Sequence, residues 1–488
     1  MRKFALFASL FVSSLCCADT NAERPNLDDQ QVRSRVALKA ILSHKLEWSK
    51  SENEIKYATF GGKPYTGWVK YLHSSEEIKG LVQLSNGIAH GFHFYWFENG
   101  QKKEESCWVN GKQTGYMLLW YENGNLKIEG NFKDDKLDGL QTDWFLNGQK
   151  QAEKFFELGE QSGKCTHWYG DGNKSIVHFF KDGKEEGISR AWHENGQFKS
   201  EVNWIAGKRD GLARYWHENG SIKREENWVE DKIEGLTQSW HPNGGKKRRI
   251  NWQNGQKEGN ASEWHENGQI KARVFYRGGK IDGVAQIWHE NGQVAERNER
   301  VMGQLEGPFM RWYPNGQKKA EAQFVGGEKE GMHRTWYPNG NKHWETNFRG
   351  GKIHGQSQEF HENGRLKTRG NFIDGVKNGL FEKWYENGEK EREVAFGDDV
   401  PLSQKSWYEN GQKSSDVILE NGKIVTGLKW QPNGDLCPHS YVVKGNGIWV
   451  MYDDAGNETE LREYKNGEQV KKDPEPVFTD PIPAVFPD

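Results

Sequence analysis

Apolar and polar residues along this chain recur with a fixed period of 24 residues. Glycine stands at Gly67, Gly91, Gly115, Gly139 and every 24 residues on to Gly379, thirteen steps without a slip. An Asn-Gly or Asp-Gly pair keeps the same spacing from Asn99-Gly100 through Asp171-Gly172 to Asn387-Gly388. A third column is almost pure tryptophan: Trp96, Trp120, Trp144, Trp168, Trp192, Trp216, Trp240, Trp264, Trp288, Trp312, Trp336, then Phe360, then Trp384. Inside one unit, Leu212-Ala213-Arg214-Tyr215-Trp216-His217 leads into Glu218-Asn219-Gly220, and a return run with Trp228 inside it follows. Alternation of this kind predicts strands. Asn-Gly is the strongest two-residue hairpin signal, because both central positions take positive φ. A looser turn is expected at Glu230-Asp231-Lys232 before Gly235 opens the next unit. Two turns per period give an antiparallel meander.

Self-similarity at a fixed period means an array whose units bury their apolar surface against neighbours. The predicted fold is all-β: an elongated single sheet of about 15–16 antiparallel β-hairpin repeats with a short N-terminal helix. Val32, Val36, Ala40 and Ile41 recur at helical spacing after Asp28 and Asp29, which predicts a helix within residues 26–46. Its expected role is to cap the open edge of the first repeat. The return strands carry a second aromatic column, among them Trp204, Trp228, Trp252, Tyr276, Phe324, Phe348, Phe372 and Phe396. Arg300 interrupts it in a stretch without the usual turn residues, where a defect or bend is expected. Beyond Gly388 the spacing shortens to 23, at Asn410-Gly411 and Asn433-Gly434. The expected boundaries are an export signal at 1–18, the helical cap at 19–60, the array at 61–470 and a Pro-rich disordered tail at 471–488.

Composition narrows the classes of function. A net charge of −3 with interspersed Lys and Glu leaves no basic stripe, so nucleic-acid binding is not expected. Apolar residues make up only 34% of the chain, yet it holds 22 Trp, 24 Phe and 16 Tyr, so burial rests on a few large rings per unit. Arg2 and Lys3, an apolar run to Leu15 and Cys16-Cys17-Ala18 before Asp19 form the expected signal peptide, with Ala22 a second cleavage point. Export to the periplasm, the medium or the cell surface follows. A lipid anchor on Cys16 or Cys17 is the weaker reading, since Leu15 stands where a small residue would be expected. After cleavage Cys107, Cys165 and Cys437 remain, too few and too scattered for a disulfide scaffold, and isolated thiols are expected.

Trp192-His193-Glu194-Asn195-Gly196-Gln197, with Trp204, Gly207-Lys208 and Gly211 downstream, resembles the MORN repeat (membrane occupation and recognition nexus) in its bacterial variant form. The resemblance covers about 380 residues. It implies the hairpin array and a non-catalytic binding or scaffold protein. Proteins of this variant family are often labelled YwqK-type antitoxins, which implies a partner toxin neutralised by direct binding. The family name also implies a membrane contact. Pairs such as Asn203-Trp204 and Asn371-Phe372 stand where the eukaryotic repeat has its Tyr-x-Gly-x-Trp opening.

One column tempts a chemical reading. His193, His217, His241, His265, His289 and His361 share a repeat position with Tyr313, Tyr337 and, in other units, Phe97 and Phe145. Zinc ligands must converge within about 2.1 Å of one ion, whereas equivalent residues on successive hairpins lie about 9.5 Å apart. The column reads as cross-strand stacking. Its functional alternative is a binding face of His193, His217, His241, His265, His289, Tyr313 and Tyr337 for an extended protein, an envelope glycan or a lipid surface. Lying next to the Trp column, it should point to the opposite side, with the Trp side packed. Glu194, Glu218, Glu266 and Glu290 recur at a turn and give way to Pro242, Pro314 and Pro338, as turn chemistry allows. Neither a catalytic constellation nor a cofactor motif is recognisable, so an enzyme is not expected. The expected partner is a protein.

Overall fold

The computed structural model describes residues 24–50, 56–453 and 456–470. The expected export signal and Pro-rich tail lie outside the described residues. The chain divides into two units, Met1–Gly244 and Gly245–Asp488. Both are antiparallel meanders of hairpins, with one short α-helix in the first.

In the first unit, the outgoing strand Gly211–Trp216 pairs antiparallel with the return strand Ile222–Val229. Gly211 stands opposite Trp228, Ala213 opposite Glu226 and Arg214 opposite Glu225. One hairpin earlier, Gly187 meets Trp204 in the same register. The second unit repeats it, with Gly331 opposite Phe348 and Gly355 opposite Phe372. Between Tyr215 and Trp216 the partner register slips by one, leaving Lys223 as an extra residue on the return strand.

The two turns are the reverse of the sequence expectation. Val229 faces Lys232, so Glu230 and Asp231 alone make the connection, with φ of 47° and 65°. That is the two-residue type I′ turn. At the Asn-Gly end, the Gly220 N–H donates to the His217 carbonyl and the His217 N–H to the Ser221 carbonyl, both at 2.9 Å. Gly220 has φ of 80°, while Asn219 stays on the negative side. This is a type I turn closed by a left-handed glycine, the three-residue hairpin loop. The cause lies in the asparagine: its Oδ1 accepts the Ser221 N–H at 3.0 Å, an Asx turn that leaves the positive φ to glycine. The same geometry puts Pro242, Pro314 and Pro338 at the turn position that favours proline.

Period-two alternation sets the faces. Leu212, Arg214, Trp216, Glu225 and Asn227 project from one side, here the Trp216 face; Ala213, Tyr215, Glu226 and Trp228 project from the other, the Trp228 face. Burial is deeper on the Trp228 face, where Ala213 and Glu226 are sealed and Val202 and Trp228 nearly so. The expectation of a packed Trp216 side is corrected: its tryptophans from Trp120 onward are half-buried. Small residues such as Ala213 let return-strand rings close over them, and the Arg209 guanidinium lies 3.5 Å from the Trp228 ring centre. On the Trp216 face the column is instead interleaved with long side chains. Phe198 sits 5.6 Å from Trp192 and 5.7 Å from Trp216, and in the second unit the Lys390 ammonium lies 5.9 Å from Trp384 and 5.5 Å from Trp407. Each such contact adds roughly 0.5–2 kcal/mol according to its desolvation.

Arg300 brings no defect. Val294–Val301 pairs with Gln304–Trp312 through a regular turn at Met302 and Gly303, both at positive φ. Arg300 takes the place of the missing ring by donating to Asn298 Oδ1 at 3.1 Å and the Gly303 carbonyl at 2.9 Å.

The helix is shorter than expected, Gln30–Lys39, capped by Asp29, whose carboxylate accepts from the Gln31 and Val32 amides. It does not cover the edge. That role falls to Ile41–Leu42, which pairs in parallel with Gly67–Leu72. The helix lies on the sheet, where Leu27, Ala37 and Ala40 pack with Phe92, Phe94, Trp96 and Tyr116. Leu46 and Ala58 pack against Val69, Val82 and Leu84 of the opposite face. Cys165 and Cys437 are buried free thiols, whereas Cys107 is disulfide-bonded, so the expectation of three isolated thiols fails there.

Candidate binding surface

The His/Tyr column joins each repeat to the next by hydrogen bonds. In the first unit, Nε2 of His193 lies 3.2 Å from the Trp216 carbonyl oxygen, and that of His217 3.1 Å from the Trp240 carbonyl. Tyr121 and Tyr169 donate to the Trp144 and Trp192 carbonyls at 2.9 and 2.8 Å. In the second unit His265 and His289 reach the Trp288 and Trp312 carbonyls at 2.9 Å. Tyr313 and Tyr337 reach those of Trp336 and Phe360 at 2.8 and 2.9 Å. A carbonyl only accepts, so each histidine presents a protonated Nε2. All seven residues of the proposed face, His241 included, are half-buried. The six whose bonds are given turn their polar atoms toward the next repeat. Histidine and tyrosine interchange because each carries a donor at the end of an aromatic ring, a feature that Phe97 and Phe145 lack.

The turn asparagines form a second inter-unit series, which the sequence reading missed. Asn195 Nδ2 donates to the Glu218 carbonyl at 2.7 Å, Asn219 to Pro242 at 2.8 Å, and in the second unit Asn291 to Pro314 at 2.6 Å and Asn339 to Glu362 at 2.9 Å. Where the pair is Asp171-Gly172, Asn173 supplies the donor instead, to the Glu194 carbonyl at 3.3 Å. The signal was present in the sequence: a residue able to make an Asx turn needs only an oxygen, yet asparagine, with an amide as well, dominates the column.

Beyond these bonds, the Trp216 face offers contact area. Ion pairs cross it, Arg190 with Glu201 at 2.8 Å and Arg214 with Glu225 at 3.0 Å in the first unit, and Arg334 with Glu345 at 2.7 Å in the second. Being partly exposed, each contributes about 0–1 kcal/mol. Leu140, Ile188, Leu212 and Leu236 stand exposed beside them. In the second unit a shallow depression of about 210 Å³ opens among Val284, Arg297, Glu299, Pro308 and Met310, next to the Arg300 interruption.

Buried titratable groups lie mostly elsewhere. His93, stacked at 5.1 Å on Trp108, and His333 are both pushed down to about 4 by burial. Lys429 is pushed down to about 8 by burial near the Tyr408 ring. On the Trp216 face, burial alone would raise Glu105, but hydrogen bonds from Arg24 and Tyr116 and the Lys102 charge hold it below the usual range. Among the described residues, no group of three or more His, Cys, Asp or Glu is placed to hold a metal ion, and no helix is long and apolar enough to cross a membrane.

This geometry defines a β-hairpin protein whose repeats are joined by side-chain-to-carbonyl bonds. Five segments, 113–134, 209–230, 257–277, 305–325 and 353–374, match the family model described as MORN repeat variant, so the chain contains MORN repeats of the variant type. No curated protein matches. Solved structures that match include "Crystal Structure of TcdB2-TccC3", 10% identical over 82% of this chain and 27% of that one, with a TM-score of 0.13. Another is "Structure of Photorhabdus luminescens Tc holotoxin pore, Mutation TccC3-D651A", 7% identical over 86% and 30%, with a TM-score of 0.11. The chain thus spans less than a third of the length of these structures, and similarity at that level carries no argument about fold or function.

Proposed function

We propose that this chain is a non-catalytic, exported scaffold that binds a protein partner through the side chains of its repeat array. The observation that carries the reading is the use of the recurring polar groups. The His/Tyr ring donors and the turn asparagines are engaged with the next repeat's carbonyls, while large apolar side chains recur at the surface. A site for chemistry needs convergent, available polar groups; a binding face needs area and a few large anchors. Repetition multiplies such area without adding a centre.

The test is a pull-down from the native cell envelope with the full chain as bait. Bound proteins are identified by mass spectrometry and then rebound as purified components. Saturable binding of a purified protein supports the scaffold. If that protein is small, toxic outside the cytoplasm and neutralised at equal stoichiometry, the YwqK-type antitoxin reading replaces it. Retention of wall glycan or lipid with no protein would make the array an envelope-surface binder.

A further inference from the structure

We infer that the Trp216 face of the first unit, just beyond the chain's own helix, is a seat for an amphipathic helix of a partner chain carrying an arginine among its apolar residues. The inference rests on the scaffold reading. Its basis is that one repeat position is treated in two ways along the same face. Trp68, Phe92 and Tyr116 occupy the position after the repeat glycine, and all three pack in the cluster formed with Leu27, Val32, Val36, Ala37 and Ala40 of the N-terminal segment. The next occupants of that position are Leu140, 47% exposed, then an exposed Lys164, then Ile188, Leu212 and Leu236, 40%, 44% and 37% exposed. Phe155, opposite Leu140 in the register, is 40% exposed as well. Leu140 and Phe155 therefore carry the apolar row one step past the place where its cover stops, and beyond Lys164 it resumes at Ile188.

A charge repeats the pattern. Glu105, also on this face, is fully buried and receives Arg24 of the N-terminal segment, Nη2 to Oε2 at 2.8 Å. The equivalent residue one repeat on is Glu129, lying between Leu118 and Thr142 on the neighbouring strands. Glu129 is half-buried and has neither ion pair nor side-chain hydrogen bond among the described residues, and burial raises its carboxyl against the opposing, more distant charge of Lys150. Further along, Glu153, Glu201 and Glu225 receive Lys150, Arg190 and Arg214 from the sheet itself. Glu129 thus stands where Glu105 would stand one repeat later, without a counterpart of Arg24, on the same face as the exposed Leu140 and Phe155. The N-terminal segment also lays Arg33 over Trp96 at 4.9 Å, so arginine suits this surface twice. A helix is the fitting occupant. The backbone groups of a sheet face are already paired in the ladder, and a helix about 10–12 Å across spans roughly one hairpin at 4.8 Å per strand. A second helix can therefore lie beside the first without displacing it.

The probe is a fluorescein-labelled peptide of this chain's own residues 24–40, titrated by anisotropy into the full chain. Saturable binding is expected, weakened about tenfold or more by Leu140→Asp, and several-fold both by Glu129→Gln and by a peptide with Arg24→Gln. Leu140 is exposed, so the variant should keep its circular dichroism and unfolding midpoint; Ile188→Asp serves as a second variant. Absence of binding overturns the inference, as does binding indifferent to positions 129, 140 and 188, which would signal exchange with the chain's own helix. Sedimentation with anionic vesicles that depends on Leu140 would assign the row to lipid, and a Leu140-dependent dimer would assign it to a second copy; both overturn it. A purified protein partner that still binds the Leu140→Asp chain unchanged would sink this seat while leaving the scaffold reading intact.

Discussion

Replacing Tyr313 by Phe removes one oxygen and nothing else, so it isolates the bond between neighbouring repeats. The Tyr313 hydroxyl donates to the Trp336 carbonyl at 2.8 Å from a half-buried position. A net hydrogen bond is worth about 0.5–1.5 kcal/mol, and a carbonyl left dry costs about 1–3 kcal/mol. Water can partly reach this site, which puts the expected loss at about 1 kcal/mol. The equivalent bonds of His289 and Tyr337 share no partner with it. The triple variant His289→Phe, Tyr313→Phe, Tyr337→Phe should therefore lose on the order of 3 kcal/mol, nearly additively. Urea unfolding followed by tryptophan fluorescence gives the sum. Native-state hydrogen exchange locates it, because in a repeat array a weakened junction opens locally. The reverse change is the stronger control. Phe145 lacks the donor, whereas Tyr121 and Tyr169 on either side reach the Trp144 and Trp192 carbonyls. Phe145→Tyr should gain about 0.5–1 kcal/mol by reaching the Trp168 carbonyl. If Tyr313→Phe costs nothing and Phe145→Tyr gains nothing, the column is a stacking column and the junction argument falls.

Three further expectations follow from packing and ionisation. A Cβ on Gly370 would lie 2.1 Å from the Phe381 ring, so Gly370→Ala should lower the unfolding free energy by about 1–3 kcal/mol, with recovery on adding Phe381→Leu; a silent Gly370→Ala would show that the ring moves aside freely. His93 and His333 sit near 4 when folded against an ordinary 6.5, so the unfolded chain binds more protons between those values and stability should fall as pH drops from 6.5 to 4. Each contributes on the order of 3 kcal/mol, and His333→Phe should flatten the slope in a pH series of urea melts. Lys429, near 8 when folded against 10.5, works in the opposite range: stability should rise between pH 8 and 10.5. Lys429→Met should remove that rise and stabilise the chain at pH 7; an unchanged profile would mean that water reaches the amine.

Much of this chain was legible in its residues because a repeat states its geometry many times. The 24-residue period, the alternation of Leu212 to Trp216 and the glycine pairs determined a meander of hairpins, and the structure places strands there. Turn types were inverted because the dipeptide rule ignores where the asparagine side chain goes. Only the fold shows Oδ1 on the amide two residues ahead while Nδ2 reaches the next unit. The face of deeper burial was also hidden. Trp216 and Trp228 are equally apolar as letters, and what separates them is the company each keeps across the strands: Ala213 beside one, long side chains interleaved with the other. The helix was visible as spacing, but its landing place was not, since no local signal says that Leu27 meets Phe92 or that Arg24 meets Glu105, 81 residues away. Sequence periodicity fixes what is repeated, because backbone hydrogen bonding and side-chain alternation are local. Which atoms each repeat turns toward its neighbour, and which part of the face is left bare, depend on contacts between residues far apart in the chain, and those the tertiary structure alone decides.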